Sequence, residues 1–116
     1  MLVHELQVYK DTYELVKMIH QMSGRFPKLH RYTLGERLCK DAGELFVPIQ
    51  LANRATAAGE RVKYLERFFL YFETVKIRLR LAYDLHCISI KEYALLVELT
   101  TKIGKQINGW RRSAKQ

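Results

Sequence analysis

The 116-residue chain is predicted to be all-α, an up-down-up-down four-helix bundle forming one domain over residues 1–116. Three observations carry that expectation. Apolar residues recur at spacings of three and four through four successive segments, where a half-buried strand would alternate at two. Two prolines and six glycines leave too little punctuation for a many-stranded sandwich, which needs a turn signal about every 8–12 residues. Segments of near-equal length joined by short links favour neighbours that run back alongside one another.

The first helix is expected at about residues 2–23, with Leu2, Leu6, Tyr9, Tyr13, Val16 and Ile19 as its apolar stripe. It ends near Ser23-Gly24, where glycine permits a left-handed terminal residue. Pro27 forces Phe26 out of helical geometry and marks a connection to about residue 32. Thr33-Leu34-Gly35-Glu36 reads as a capping box, so the second helix is placed at about 34–55. Its stripe is Leu34, Leu38, Ala42, Leu45, Ile49 and Ala52. Pro48 removes one backbone donor within that run and predicts a kink instead of a break, because the stripe continues in phase through it.

Ala55 to Gly59 is the expected turn. The third helix, about 60–85, carries the broadest stripe: Val62, Leu65, Phe68, Phe69, Phe72, Val75, Leu79 and Ala82. His86-Cys87-Ile88 reads as a loop with partial burial. Ser89-Ile90-Lys91-Glu92 is a second capping box and opens the fourth helix at about 90–112, with Ile90, Tyr93, Leu96, Leu99, Ile103, Ile107 and Trp110 as its stripe.

Composition excludes several classes. With 48% hydrophobic and 28% charged residues, the chain is an ordinary globular sequence rather than a disordered or fibrous one. No stretch approaches the roughly 18 uncharged apolar residues of a membrane span. Charges at Glu5, Lys10, Asp11, Glu14 and Lys17 interrupt any secretory signal, and Cys39 and Cys87 lack CxxC spacing. The expectation is a soluble cytoplasmic protein with reduced thiols.

Catalytic patterns are absent. There is no Gly-rich phosphate loop, HExxH, GxSxG or metal-spaced Cys/His cluster, and no Glu-x-x-His pair of the kind that builds di-iron sites in bundles. His4, His20, His30 and His86 are scattered, and Asp41 with Glu44 reads as wet surface. A non-enzyme without cofactor or metal is expected.

The informative feature is charge. Twenty Lys and Arg face twelve Asp and Glu, a formal net charge of +8, and the surplus concentrates in the second half. Arg61, Lys63, Arg67, Lys76, Arg78 and Arg80 on helix three are partly balanced by Glu60, Glu66, Glu73 and Asp84. Lys102, Lys105, Arg111, Arg112 and Lys115 near the end face no acid after residue 98. Macrodipole stabilisation explains any one C-terminal cation, and spacing-three pairs such as Glu73 with Lys76 are ordinary surface neighbours. Neither explains a net surplus, which is the electrostatic footprint of phosphate contact. No sequence-reading module is present, so binding of RNA or DNA is expected to be weakly sequence-specific. Most aromatics fall on core stripes; Trp110 beside Arg111-Arg112 is the one kept open as a contact residue.

Leu70, Tyr71, Ile77, Leu81 and Tyr83 on helix three, with Leu95 and Val97 on helix four, widen the apolar arc beyond one core. Self-association is therefore expected.

Four short runs carry a family resemblance: Phe26-Pro27-Lys28, Tyr32-Thr33-Leu34-Gly35, Ala52-Asn53-Arg54-Ala55, and Ile88-Ser89 with Tyr93. They are similar to the four-helix-bundle proteins encoded in 23S rRNA intervening sequences. Within that group the chain most resembles the accessory variability determinants of diversity-generating retroelements. The resemblance implies a basic homopentameric bundle that binds RNA and DNA and associates with a reverse transcriptase during mutagenic copying. It supplies no catalytic residue, so binding is assigned to the eleven cations named above on helix three and at the C-terminal end. An intervening-sequence-type protein acting as a non-catalytic interaction scaffold is the alternative, and it carries no reverse transcriptase partner.

Overall fold

The computed structural model describes residues 1–115, and no strand occurs among them. A 3-10 turn at Val3–Glu5 precedes α1 (Gln7–Ser23), followed by the single-turn α2 (Lys28–His30) and a π-turn at Arg31–Gly35. Then come α3 (Glu36–Gly43), α4 (Phe46–Arg54), α5 (Ala58–Asp84) and α6 (Ile90–Lys115). No extended residue separates α2 from the end of α4, so these pieces form one bent rod and the chain has four helical rods. The molecule measures 46 × 22 × 22 Å, consistent with the roughly 40 Å length of a 27-residue helix such as α5.

The first helix starts later than the stripe suggests. Leu6 is extended (φ −69°, ψ 132°), and Leu2 is 61% exposed, so extending α1 to Leu2 would bury nothing further there. The leading turn instead reaches the end of α4, where Asn53 Nδ2 donates to the Met1 carbonyl at 3.0 Å. At the other end of α1, Gly24 keeps right-handed helical angles (φ −64°, ψ −19°). The exit is made by tight turns, Arg25 N–H to Met22 O at 2.9 Å and Phe26 N–H to Ser23 O at 3.2 Å, which need no left-handed residue.

The capping box expected at Thr33 does not form. Pro27 has the extended angles of a helix entry (φ −52°, ψ 144°), and helical winding resumes directly after it. Thr33 therefore lies inside the π-turn, where its hydroxyl is 3.4 Å from the carbonyls of both Leu29 and His30. Gly35 is buried there, and a Cβ on it would stand 3.5 Å from the His30 carbonyl and from the Phe26 and Ser23 side chains.

Pro48 acts as its chemistry requires. The rod is interrupted at Glu44 and Leu45, four and three residues before it, yet both keep right-handed angles (φ −66°, ψ −15° and φ −67°, ψ −26°). The kink therefore bends the rod without ending it.

Ala55 and Ala57 are extended and turn the chain into α5. Arg61 closes this corner: its Nε donates to Ala52 O at 2.9 Å and its Nη2 to Ala55 O at 2.6 Å. These are orphan carbonyls at the end of α4.

The α5–α6 connection closes with a Schellman motif. Cys87 N–H donates to Ala82 O at 2.8 Å and His86 N–H to Tyr83 O at 3.0 Å, with His86 at φ 60°. This left-handed position favours glycine. His86→Gly is expected to stabilise the protein by about 1 kcal/mol, read as a raised urea midpoint with an unchanged slope. A lowered midpoint would contradict it.

The second capping box forms as the spacing predicts. Ser89 N–H donates to Glu92 Oε1 at 2.9 Å, and Glu92 N–H donates to Ser89 Oγ at 3.1 Å. The Ser89 backbone donor is the main cause holding the Glu92 carboxyl below its ordinary range, and Arg25, 3.1 Å away, adds to it.

The core joins all four rods through Leu15, Ile19, Leu38, Leu45, Ile49, Leu65, Phe68, Phe72, Leu96 and Ile103, each 2% exposed or less. Along α5 and α6, Tyr83 stacks on Tyr93 with centroids 4.8 Å apart. Further from their connection, Gly104 faces the Phe72 ring, and a Cβ there would lie 3.5 Å from it. A buried carboxylate ties α1 to α6. Asp11, 7% exposed, accepts from Gln7 Nε2 at 3.0 Å and from Gln106 Nε2 at 2.7 Å.

Candidate nucleic-acid interface

The eleven cations singled out by the sequence do not form one surface. Arg61 is committed to the α4 carbonyls. Arg78 Nε reaches Asp41 Oδ2 at 3.0 Å between α5 and α3; both atoms are shut from solvent, but their alignment is too poor for a hydrogen bond. Asp41, expected on a wet surface, is therefore half-buried as the counter-ion of an arginine. Lys76 pairs with Glu73 at 3.1 Å and lies over the Phe72 ring, 5.3 Å from its centroid. Arg80 pairs with Asp84 at 3.1 Å, and Lys102 stands 3.5 Å from the buried Asp11 carboxylate.

The remaining residues collect at one end of the molecule. Arg111 projects its guanidinium over the Phe69 ring, 5.2 Å from the centroid, which sets the last turns of α6 against the first half of α5. Lys63 and Arg67 from α5 lie at this end with Lys105, Arg112 and Lys115 from α6, and all five are exposed. Among the described residues none of the five is in an ion pair. Exposed Arg54 closes α4 at the same corner.

Acids stand among these cations, since exposed Glu60 and Glu66 flank Lys63 at spacings of three and exposed Glu5 adjoins Leu6 beside Trp110. Glu60 accepts a hydrogen bond from the Tyr64 hydroxyl at 3.1 Å, which raises the phenol above its usual range, and Glu66 is exposed. Cations outnumber acids at this end, and the surface is solvent-facing and net positive. Such a surface suits a polyanion held by its phosphates, with each cation free to meet a different phosphate group. It offers no paired donors fixed in a rigid frame, so it reads charge and not sequence.

Trp110 is half-buried and packs against the core with Leu6 and Val8 nearby, which leaves little of its ring for a ligand. Two aromatics stand in solvent: Tyr13, placed by spacing on the α1 stripe but 54% exposed, and Tyr32, 62% exposed at the π-turn. Helical periodicity did not single out Tyr32, because the signal lies in a π-turn that the spacing of apolar residues does not announce.

The extra apolar residues of α5 divide. Tyr71 and Tyr83 are half-buried against the core, whereas Leu70, Ile77 and Leu81 are 69%, 68% and 44% exposed. Their spacing of seven and four puts these three on the side of α5 opposite the buried Leu65, Phe68, Phe72 and Leu79. Leu95 and Val97 are exposed on α6.

Among the described residues, no helix is long and apolar enough to cross a membrane, and no group of three or more His, Cys, Asp or Glu is placed to hold a metal ion. A search of curated proteins finds no match. The family model described as bAvd-like matches residues 6–114, a span that takes in every rod and the cation cluster except Lys115. The chain is thus an accessory-variability-determinant-like helical protein and belongs to the bAvd-like family.

Proposed function

We propose that the protein is a non-catalytic nucleic-acid-binding accessory factor of a diversity-generating retroelement. It holds RNA or DNA through the basic end built by α5 and α6 and associates with a reverse transcriptase during mutagenic copying. The observation that carries this reading is the group Lys63, Arg67, Lys105, Arg112 and Lys115, exposed and outside any ion pair among the described residues. Membership of the bAvd-like family supports the accessory role.

The reading includes an up-down-up-down bundle that assembles as a homopentamer in the cytoplasm. The contacts Asp11 with Gln106, Asp41 with Arg78 and Tyr83 with Tyr93 support that rod order. The outward Leu70 and Ile77, neither of which lines the hollows beside Tyr32, support a covered face in an assembly. Repetition of the basic end around a ring would multiply phosphate contacts on one strand and raise avidity without any new type of contact. The same outward stripe favours one other reading, a protein-interaction scaffold of the intervening-sequence type that meets an acidic partner.

Titration of a labelled oligonucleotide of arbitrary sequence across a salt series separates the two. The nucleic-acid reading expects log K to fall linearly with log salt, by roughly 0.7 to 0.9 for each phosphate contacted. Absence of binding at low salt rejects it.

A further inference from the structure

We infer that Tyr32 and the two depressions beside it form a second binding site, which takes the unpaired bases of single-stranded nucleic acid. This inference rests on the nucleic-acid reading and specifies a contact of another kind. Tyr32 is a wall residue of both depressions. The larger, about 610 Å3, lies between α3 and α5 and includes Arg37, Lys40 and Leu81. The smaller, about 270 Å3, lies between the π-turn and α1 and includes His20 and Arg31. An aromatic ring at 62% exposure, with a hollow on either side, offers a stacking surface of the kind used for exposed bases.

The π-turn gives this ring its place. Gly35 packs close to Phe26 and Ser23, and the Arg31 Nη2 donates to Phe26 O at 3.3 Å. The turn is thereby fixed to the core, while Tyr32 itself stays in solvent. A ring on a fixed support loses little freedom when it stacks on a ligand.

Charge has a secondary part here. Arg37 and Lys40, both exposed, stand one turn apart on α3 and suit the phosphates flanking a stacked base. Arg78 in the same hollow is already neutralised by Asp41, and Glu36 lines both hollows. Selectivity therefore comes from stacking. Bases within a duplex already stack on their neighbours and present only edges and backbone, so the site discriminates in favour of single strands. Leu81 on its rim and Lys63 in the basic cluster are eighteen residues apart on α5, about 27 Å at helical rise. A change at one site thus leaves the other intact.

The test compares a labelled oligo-dT with a duplex of equal length, using wild type, Tyr32→Ala and Tyr32→Phe at constant salt. Tyr32→Ala is expected to weaken single-strand binding about tenfold while duplex affinity stays constant, and Tyr32→Phe, which keeps the ring, to bind as wild type. Unchanged oligo-dT affinity in Tyr32→Ala, or equal loss on both probes, overturns the inference while the nucleic-acid reading stands. Failure of the wild type to bind either probe defeats that reading itself.

Discussion

Replacing Lys63, Arg67, Lys105, Arg112 and Lys115 together by Ala is expected to abolish most oligonucleotide affinity at moderate salt and leave the helical circular dichroism unchanged. Each of these side chains is exposed, and none takes part in a side-chain hydrogen bond or ion pair among the described residues. Their removal therefore costs the fold little, since surface changes away from such features are worth only about ±0.5 kcal/mol. Binding responds differently. If each cation neutralises one phosphate, the salt dependence of log K becomes shallower by about 4, and that change in slope is the diagnostic. A variant with wild-type slope and affinity would place the contact elsewhere. Arg61 and Arg78 serve as controls of opposite character: they already bind the α4 carbonyls and Asp41, so their loss is read in the melting curve.

Phe72→Ala is expected to be the most damaging single substitution for stability. The ring is 1% exposed, its centroid lies 5.2 Å from that of Phe68 and 6.4 Å from that of Phe69, and Gly104 of α6 leaves room for it. Truncation removes the aromatic contacts and opens a cavity between the two longest helices, at a cost of about 3–5 kcal/mol. Against a typical total of about 5–15 kcal/mol, this is a large fraction. The thermal midpoint should fall by roughly 10–25 °C. A fall of only about 2 °C would show that α5 and α6 repack around the gap.

Much of the helical layout was legible from residue spacing because core residues must return to the same side of a helix every three or four positions. α5 and α6 begin and end within three residues of their predicted limits, and the Ser89–Glu92 box forms as its pattern requires. The failures share one cause: local signals compete, and the stronger one sets the boundary. Pro27 opens the second rod five residues or more before Thr33 has the chance to cap it. Leu2 has the right spacing for α1 but no core to face. Gly24 has the freedom for a left-handed exit, yet the left-handed residue among those described is His86.

The basic end was legible at the level of charge and not of geometry. Of the eleven cations named from sequence, Lys63, Arg67, Lys105, Arg112 and Lys115 are exposed and outside any ion pair among the described residues. Sequence had no means to see that Arg61 would satisfy backbone carbonyls, or that Arg78 and Lys102 would meet Asp41 and Asp11. Those partners lie six or more residues away along the chain, beyond the reach of helical spacing rules. Tyr32 was quoted only within a family-like run, because no periodicity marks a residue that belongs to neither a stripe nor a charged face.

The link between Asp11 and Gln106 spans 95 positions, and it bears on how the molecule is made. A nascent chain emerging from the ribosome exposes α1 first, with its carboxylate still hydrated. The amide that donates to it is synthesised 95 positions later, so the first helix cannot settle into its final seat until α6 has emerged. Docking of α1 is therefore a late step of folding, and a truncation that removes Gln106 leaves the buried Asp11 carboxylate without its donor from α6.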